Sequence, residues 1–135
     1  MNLTIAPTIE AAIRDICDHF PCSSVTIIGQ DAGGVWVRID DVELGGAWAQ
    51  GTTFVVVHLA STLPFADIYP VFVRGDLSRA DGLPLQPPVT PGHLAGPPGE
   101  QQPAVQLSRR TRGDASRQTA GQKVTKVISW LRELP

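Results

Sequence analysis

Cysteine is scarce in this chain, with two in 135 residues, Cys17 and Cys22. That usage suits a reducing compartment. Nothing thiol-bearing follows residue 22. No apolar run approaches the ~18 residues that a membrane span requires. The opening residues, MNLTIAPTIE, carry neither the basic segment nor the apolar stretch of a secretory signal, so the cytoplasm is the expected location. Asn2-Leu3-Thr4 is therefore a glycosylation sequon in letters only. A phosphate-cradling loop needs glycines that lead into a helix and end in Lys-Ser/Thr, whereas Gly33-Gly34 leads into a strand pattern. The Gly-x-Ser-x-Gly elbow of serine hydrolases is missing too. Asp40 and Asp41 are neighbours, so a regular strand would send them to opposite faces and deny a carboxylate pair. There is no internal repeat.

Cys17, His19 and Cys22 form a dense trio, which raises the question of a metal. Residues 17 and 19 stand about 200° apart around a helix and face opposite ways. Structural zinc takes four ligands, and a fourth is lacking nearby. No metal and no cofactor are expected. Cys17 is read as a core residue and His19 as solvated.

What is present suits one α+β domain over residues 1–135. Apolar residues make up 42% of the chain, a value typical of globular proteins. The net charge of −2 is unevenly spread: residues 1–67 hold two basic and eight acidic side chains, residues 68–135 nine basic and five acidic. The basic share gathers in Arg109, Arg110, Arg112, Arg117, Lys123 and Lys126. Such a cluster is either a solvated face or a surface that steers an acidic partner or contacts phosphate. Nucleic acid is disfavoured, because the chain as a whole is acidic and no recognition motif accompanies the patch.

Apolar spacing of three and four over Ile9, Ile13, Ile16, Cys17 and Phe20 predicts a helix over 7–20, opened by Pro7 and stopped by Pro21. Short β-branched runs then follow at 25–28, 35–40, 53–59 and 71–73. Val35, Val37 and Ile39 alternate with Trp36, Arg38 and Asp40, the period of a half-buried strand. Glycines at 33–34 and at 45, 46 and 51 supply turns, the second set around Trp48. Strands joined by turns with no helix between them predict a four-stranded antiparallel meander. Seven of the twelve prolines then fall between Pro84 and Pro103, where apolar periodicity lapses. Residues 78–104 are accordingly read as a long Pro/Gly-rich loop, the most irregular part of the chain. It contains the chance-frequency PxxP string Pro88-Val89-Thr90-Pro91. A second helix closes the chain at 119–134, with Thr119 as N-cap, Val124, Val127, Ile128, Leu131 and Leu134 on its stripe, and Trp130 at the stripe's edge. His58 is read as a satisfied packing histidine. His93, in the loop, is the better candidate for function.

The succession of helix, meander, Tyr-Pro step, long loop and helix resembles the ubiquitin-conjugating enzyme (UBC-like) family. The residues that carry the likeness are Phe54-Val55-Val56-Val57, Leu63-Pro64, Tyr69-Pro70 and Val71-Phe72-Val73. The stretch Ser108-Arg109-Arg110, with Thr119-Ala120 and Lys126-Val127-Ile128-Ser129-Trp130-Leu131, is similar to a prokaryotic branch that accompanies bacterial ubiquitin-like modifiers. The resemblance implies a UBC-like fold, with Tyr69 and Pro70 as its structural motif. It also implies a cysteine in the loop after the fourth strand, which takes the modifier as a thioester. That cysteine is not there, and Pro91-Gly92-His93 only loosely echoes the family's His-Pro-Asn. No catalytic residue is therefore assigned. The chain is expected to be a non-catalytic adaptor that binds a ubiquitin-like protein or its activating or conjugating enzyme, with His93, Arg109, Arg110 and Arg112 on the binding surface. Two alternatives remain. One is an active conjugating enzyme whose cysteine has been replaced, at Ser108, Ala104 or Ala115. The other is an unrelated α+β interaction domain whose proline-rich loop is the ligand.

Overall fold

The structure is a computed structural model that describes residues 5–31, 33–63 and 66–134. Asn2-Leu3-Thr4, Ala32 of the first turn and Pro64 of Leu63-Pro64 lie outside the described residues. The elements run α1 (Pro7–His19), β1 (Ser24–Asp31), β2 (Gly34–Glu43), β3 (Thr52–Ala60), β4 (Val71–Arg74), β5 (Val89–Ala95), β6 (Gln102–Leu107), a 3-10 turn (Ala115–Arg117) and α2 (Ala120–Arg132). The protein is α+β. Its strands form one six-stranded antiparallel sheet in the order β1-β2-β3-β4-β6-β5.

This corrects the expected four-stranded meander with a long loop. The first four strands form as anticipated, but the proline-rich segment supplies two more, β5 and β6. Prolines survive there because of where they fall. Pro91 sits in the register shift between Thr90 and His93 on the edge strand β5, where an N–H is not required. Pro103 pairs only with Leu94, since β4 reaches no further along β6 than the Arg74–Ala104 pair. The PxxP string is likewise not a free ligand: Val89 and Thr90 pair with Leu107 and Gln106.

Both helices cover one face of the sheet. Alternation delivers Val35, Val37 and Ile39 from β2, Val55, Val57 and Leu59 from β3, and Val105 and Leu107 from β6 to a core shared with Ile9, Ile16, Val124, Ile128 and Leu131. Burying these chains supplies the main driving force, about 1.5–3 kcal/mol each. Trp48, in the glycine-bracketed turn, donates its indole N–H to the Leu131 carbonyl at 3.0 Å, which ties the turn after β2 to the end of α2. The helices approach closely at Gly121, whose amide donates to the Asp15 carboxylate at 2.8 Å. A Cβ at Gly121 would collide with the His19 ring and lie 2.6 Å from the Asp15 carbonyl oxygen, so no larger residue fits without separating the helices. Thr119 and Gln122 complete a capping box at the α2 N-terminus. Cys17 is exposed, as is Cys22; the buried arc of α1 is Ile9, Ala12 and Ile16, which leaves Cys17 on the outer side.

The other face carries a smaller cluster of Val56, Phe72, Ala95 and Ala104, flanked by Ile28, Trp36 and Phe54. The turn between β5 and β6 closes over it. Pro97 packs on Gly29 of β1, at the opposite edge of the sheet order, and Arg38 of β2 donates to Gln102 at 2.7 Å. Among the described residues no helix is long and apolar enough to cross a membrane.

Candidate functional site

The segment that leaves β6 carries Arg109, Arg110, Thr111 and Arg112 across the start of α2. Its backbone is held from below by a partly buried network. The Asp67 carboxylate accepts from the Thr111 amide at 2.7 Å and from the Thr111 hydroxyl at 2.6 Å. The same hydroxyl accepts from Lys123 Nζ at 3.0 Å and Gln118 Nε2 at 2.6 Å. Lys123, only 4% exposed, also donates to the Arg109 carbonyl at 2.7 Å and lies 3.3 Å from Asp67. A lysine on the apolar stripe of a helix is the sequence signal for such a site, because a buried ammonium requires partners.

The electrostatics follow from this arrangement. Burial alone would push the Asp67 carboxyl up, but the Thr111 hydroxyl, the Thr111 amide and the Lys123 charge together hold it below the ordinary carboxylate value. Burial pulls the Lys123 ammonium down, Asp67 opposes that, and Arg109 and Lys126 add to the lowering.

Above this base the arginines rest on aromatic rings. The Arg109 guanidinium lies 4.6 Å from the Trp130 ring centre and that of Arg110 lies 4.0 Å from the Tyr69 ring centre. The structure thus joins Tyr69, noted as a family motif, to the basic cluster. Arg109, Arg110 and Arg112 are exposed, and among the described residues no carboxylate pairs with any of them. Lys126 donates to Gln118 at 3.2 Å. Between this segment and α2 runs a cleft of about 290 Å³, continued by one of about 380 Å³.

His93 does not join them. It stands on β5 opposite Ala104, whereas Arg109 follows the end of β6 at Leu107. Pro70 leads into β4. Of the positions considered for a replaced nucleophile, Ala104 is buried in the outer cluster, Ala115 starts the 3-10 turn, and Ser108 accepts from Gln106 through its hydroxyl at 3.0 Å.

His58 sits apart on the outer face, within 3.1 Å of Asp31 and with its ring 4.9 Å from Trp36. The register shift between Ile39 and Val42 overrides the expected alternation at Asp40 and Asp41, so both line one open cleft with Arg38, Arg74 and Asp76. Among the described residues no group of three or more His, Cys, Asp or Glu side chains could hold a metal ion. The protein is therefore of the α+β class, with Arg109, Arg110 and Arg112 gathered on one braced ledge. Comparison with known proteins returned no matching family model, no matching curated protein and no matching solved structure.

Acid should weaken the fold through the carboxylates. Asp67 is lowered as described, Asp31 chiefly by the His58 hydrogen bond, and Asp76 chiefly by the Arg74 hydrogen bond. Arg79 holds Asp81 at about 2. Folded values below unfolded ones mean that this stabilisation is complete above the unfolded carboxylate range and is lost as pH falls through the folded values. Urea midpoints should thus be flat above about pH 5 and fall steadily towards pH 2, less steeply in Asp67→Ala. A midpoint that stays level to pH 2 would contradict these shifts.

Proposed function

We propose that the chain is a non-catalytic docking component that receives an acidic protein surface on the ledge formed by residues 109–112 and α2. The observation that carries this reading is the state of Arg109 and Arg110. Their guanidinium carbons lie over the rings of Trp130 and Tyr69, with no carboxylate of the described residues to neutralise them. A ring beneath the guanidinium is a partner that takes up none of its N–H groups, which are left for forked hydrogen bonds to carboxylates. The ring contact also removes some of the side-chain freedom that binding would otherwise have to freeze. In the terms of the UBC-like resemblance, the partner is a ubiquitin-like modifier or its activating or conjugating enzyme, in a bacterial cytoplasm.

Absence of a cysteine beyond residue 22 supports the non-catalytic part. Cys17 and Cys22 are solvent-exposed but lie on and after α1. The test mixes the chain with a bacterial ubiquitin-like modifier, its activating enzyme and ATP, and resolves the products on a non-reducing gel. No reductant-sensitive band should form. A complex should still be recovered in a pull-down, weakened at least about tenfold by the double charge reversal Arg109→Glu with Arg110→Glu, and sensitive to salt. A thioester band lost on Cys22→Ser would overturn the non-catalytic reading. Recovery unaffected by the charge reversal would overturn the ledge.

A further inference from the structure

We infer that the cleft between residues 109–118 and α2 is a phosphate-monoester site, and that the ester is a phosphorylated side chain of the docked polypeptide. This rests on the ledge being a protein-docking surface. Six cationic side chains line the two joined clefts: Arg109, Arg110, Arg112, Arg117, Lys123 and Lys126. The one carboxylate among the lining residues, Asp114, is already engaged by the Ser116 amide at 2.9 Å and the Ser116 hydroxyl at 2.6 Å. Lys123 is occupied beneath by Asp67, Thr111 and the Arg109 carbonyl, so it braces the site rather than reaching into it. The remaining five cations exceed what a single carboxylate would neutralise. A phosphate monoester brings close to two charges and three acceptor oxygens, which suits guanidinium forks held at fixed angles.

The polypeptide source follows from what adjoins the cleft. Trp130, which carries Arg109, also forms a wall of a slot of about 190 Å³ with Trp48, Leu85, Pro87 and Pro88. A small phosphate ester has nothing to place there, whereas an apolar residue flanking a phosphorylated one does. Arg109, Arg110, Arg112 and Lys126 are exposed and Trp130 is half-buried, so single substitutions at these positions leave the core intact.

The experiment records arginine Nε–Hε correlations of the full chain by NMR while it is titrated, at constant ionic strength, with phenyl phosphate, with benzoate, and with one Leu-flanked peptide in phosphoserine and unmodified forms. Saturable shifts at Arg109, Arg110 and Arg112 are expected with phenyl phosphate, at least about tenfold tighter than with benzoate. The phosphopeptide should bind at least about tenfold tighter again and should also shift the Trp130 indole signal. Arg112→Gln and Lys126→Gln should each weaken phosphopeptide binding about tenfold, while Arg14→Gln, at an exposed position of α1 paired with Glu10, changes nothing. Equal affinity for phenyl phosphate and benzoate, or shifts that never saturate, would overturn the site. Phosphopeptide binding no tighter than phenyl phosphate would overturn the polypeptide source. If the phosphate fails but a poly-glutamate peptide still binds in an Arg109- and Arg110-dependent way, the docking ledge stands and only the phosphate inference falls.

Discussion

Leu131→Ala should lower the free energy of unfolding by about 4 kcal/mol and the melting temperature by roughly 15 °C. Leu131 is fully buried on α2, in the cluster that also holds Val124, Ile128, Leu44 and Trp48. Truncation there loses the transfer free energy of three carbons and leaves a cavity that a β-sheet on one side and α1 on the other can only partly close. The backbone of the same residue accepts the Trp48 indole hydrogen bond, so any shift of the helix to fill the gap also strains that bond. Leu134, partly exposed near the end of the chain, provides the contrast: its replacement by Ala should cost under about 1 kcal/mol. A Leu131→Ala melt indistinguishable from the parent would mean that α2 is peripheral to the core.

Asp67→Ala should cost about 3 kcal/mol, towards the low end for breaking a buried charge pair because the carboxylate is itself 21% exposed. The substitution removes the acceptor of the Thr111 amide and hydroxyl and leaves the Lys123 ammonium buried with only neutral oxygens around it. The penalty resides in that uncompensated charge. Adding Lys123→Met to Asp67→Ala should therefore recover much of the loss, an interaction that a double-mutant cycle would report directly. Both variants should also loosen residues 109–112, seen as faster amide exchange there than in β6. A loss below about 1 kcal/mol, or strict additivity of the two substitutions, would show that the network does not brace the ledge.

The first four strands follow from their β-branched runs and alternation, but the six-stranded sheet departs from the four-stranded architecture that the UBC-like resemblance implied. The hairpin of β5 and β6 was concealed by composition. Prolines at 87, 88, 91, 97, 98 and 103 break the period of two that marks strands such as β2 and β3. Pairing with β4 and closure over the outer cluster order that segment despite its composition. Cys17 illustrates the same limit on a helix. It borders the apolar stripe, and only the docking of Ile9, Ala12 and Ile16 on the sheet reveals that it lies beyond the buried arc.

What local sequence determined is whatever depends on neighbours within a turn or two. The two helices follow from spacings of three and four, the start of α2 from Thr119, and β2 and β3 from alternation. The concentration of basic residues after position 108 was equally legible. Tertiary structure alone decided how that charge is presented. Asp67 meets Thr111 across 44 residues of chain, and Arg110 reaches the Tyr69 ring only because β4 and β6 pair as neighbours. Contacts so distant in sequence leave no periodicity behind, since they arise when separate elements bury their apolar faces together and carry their polar edges into register.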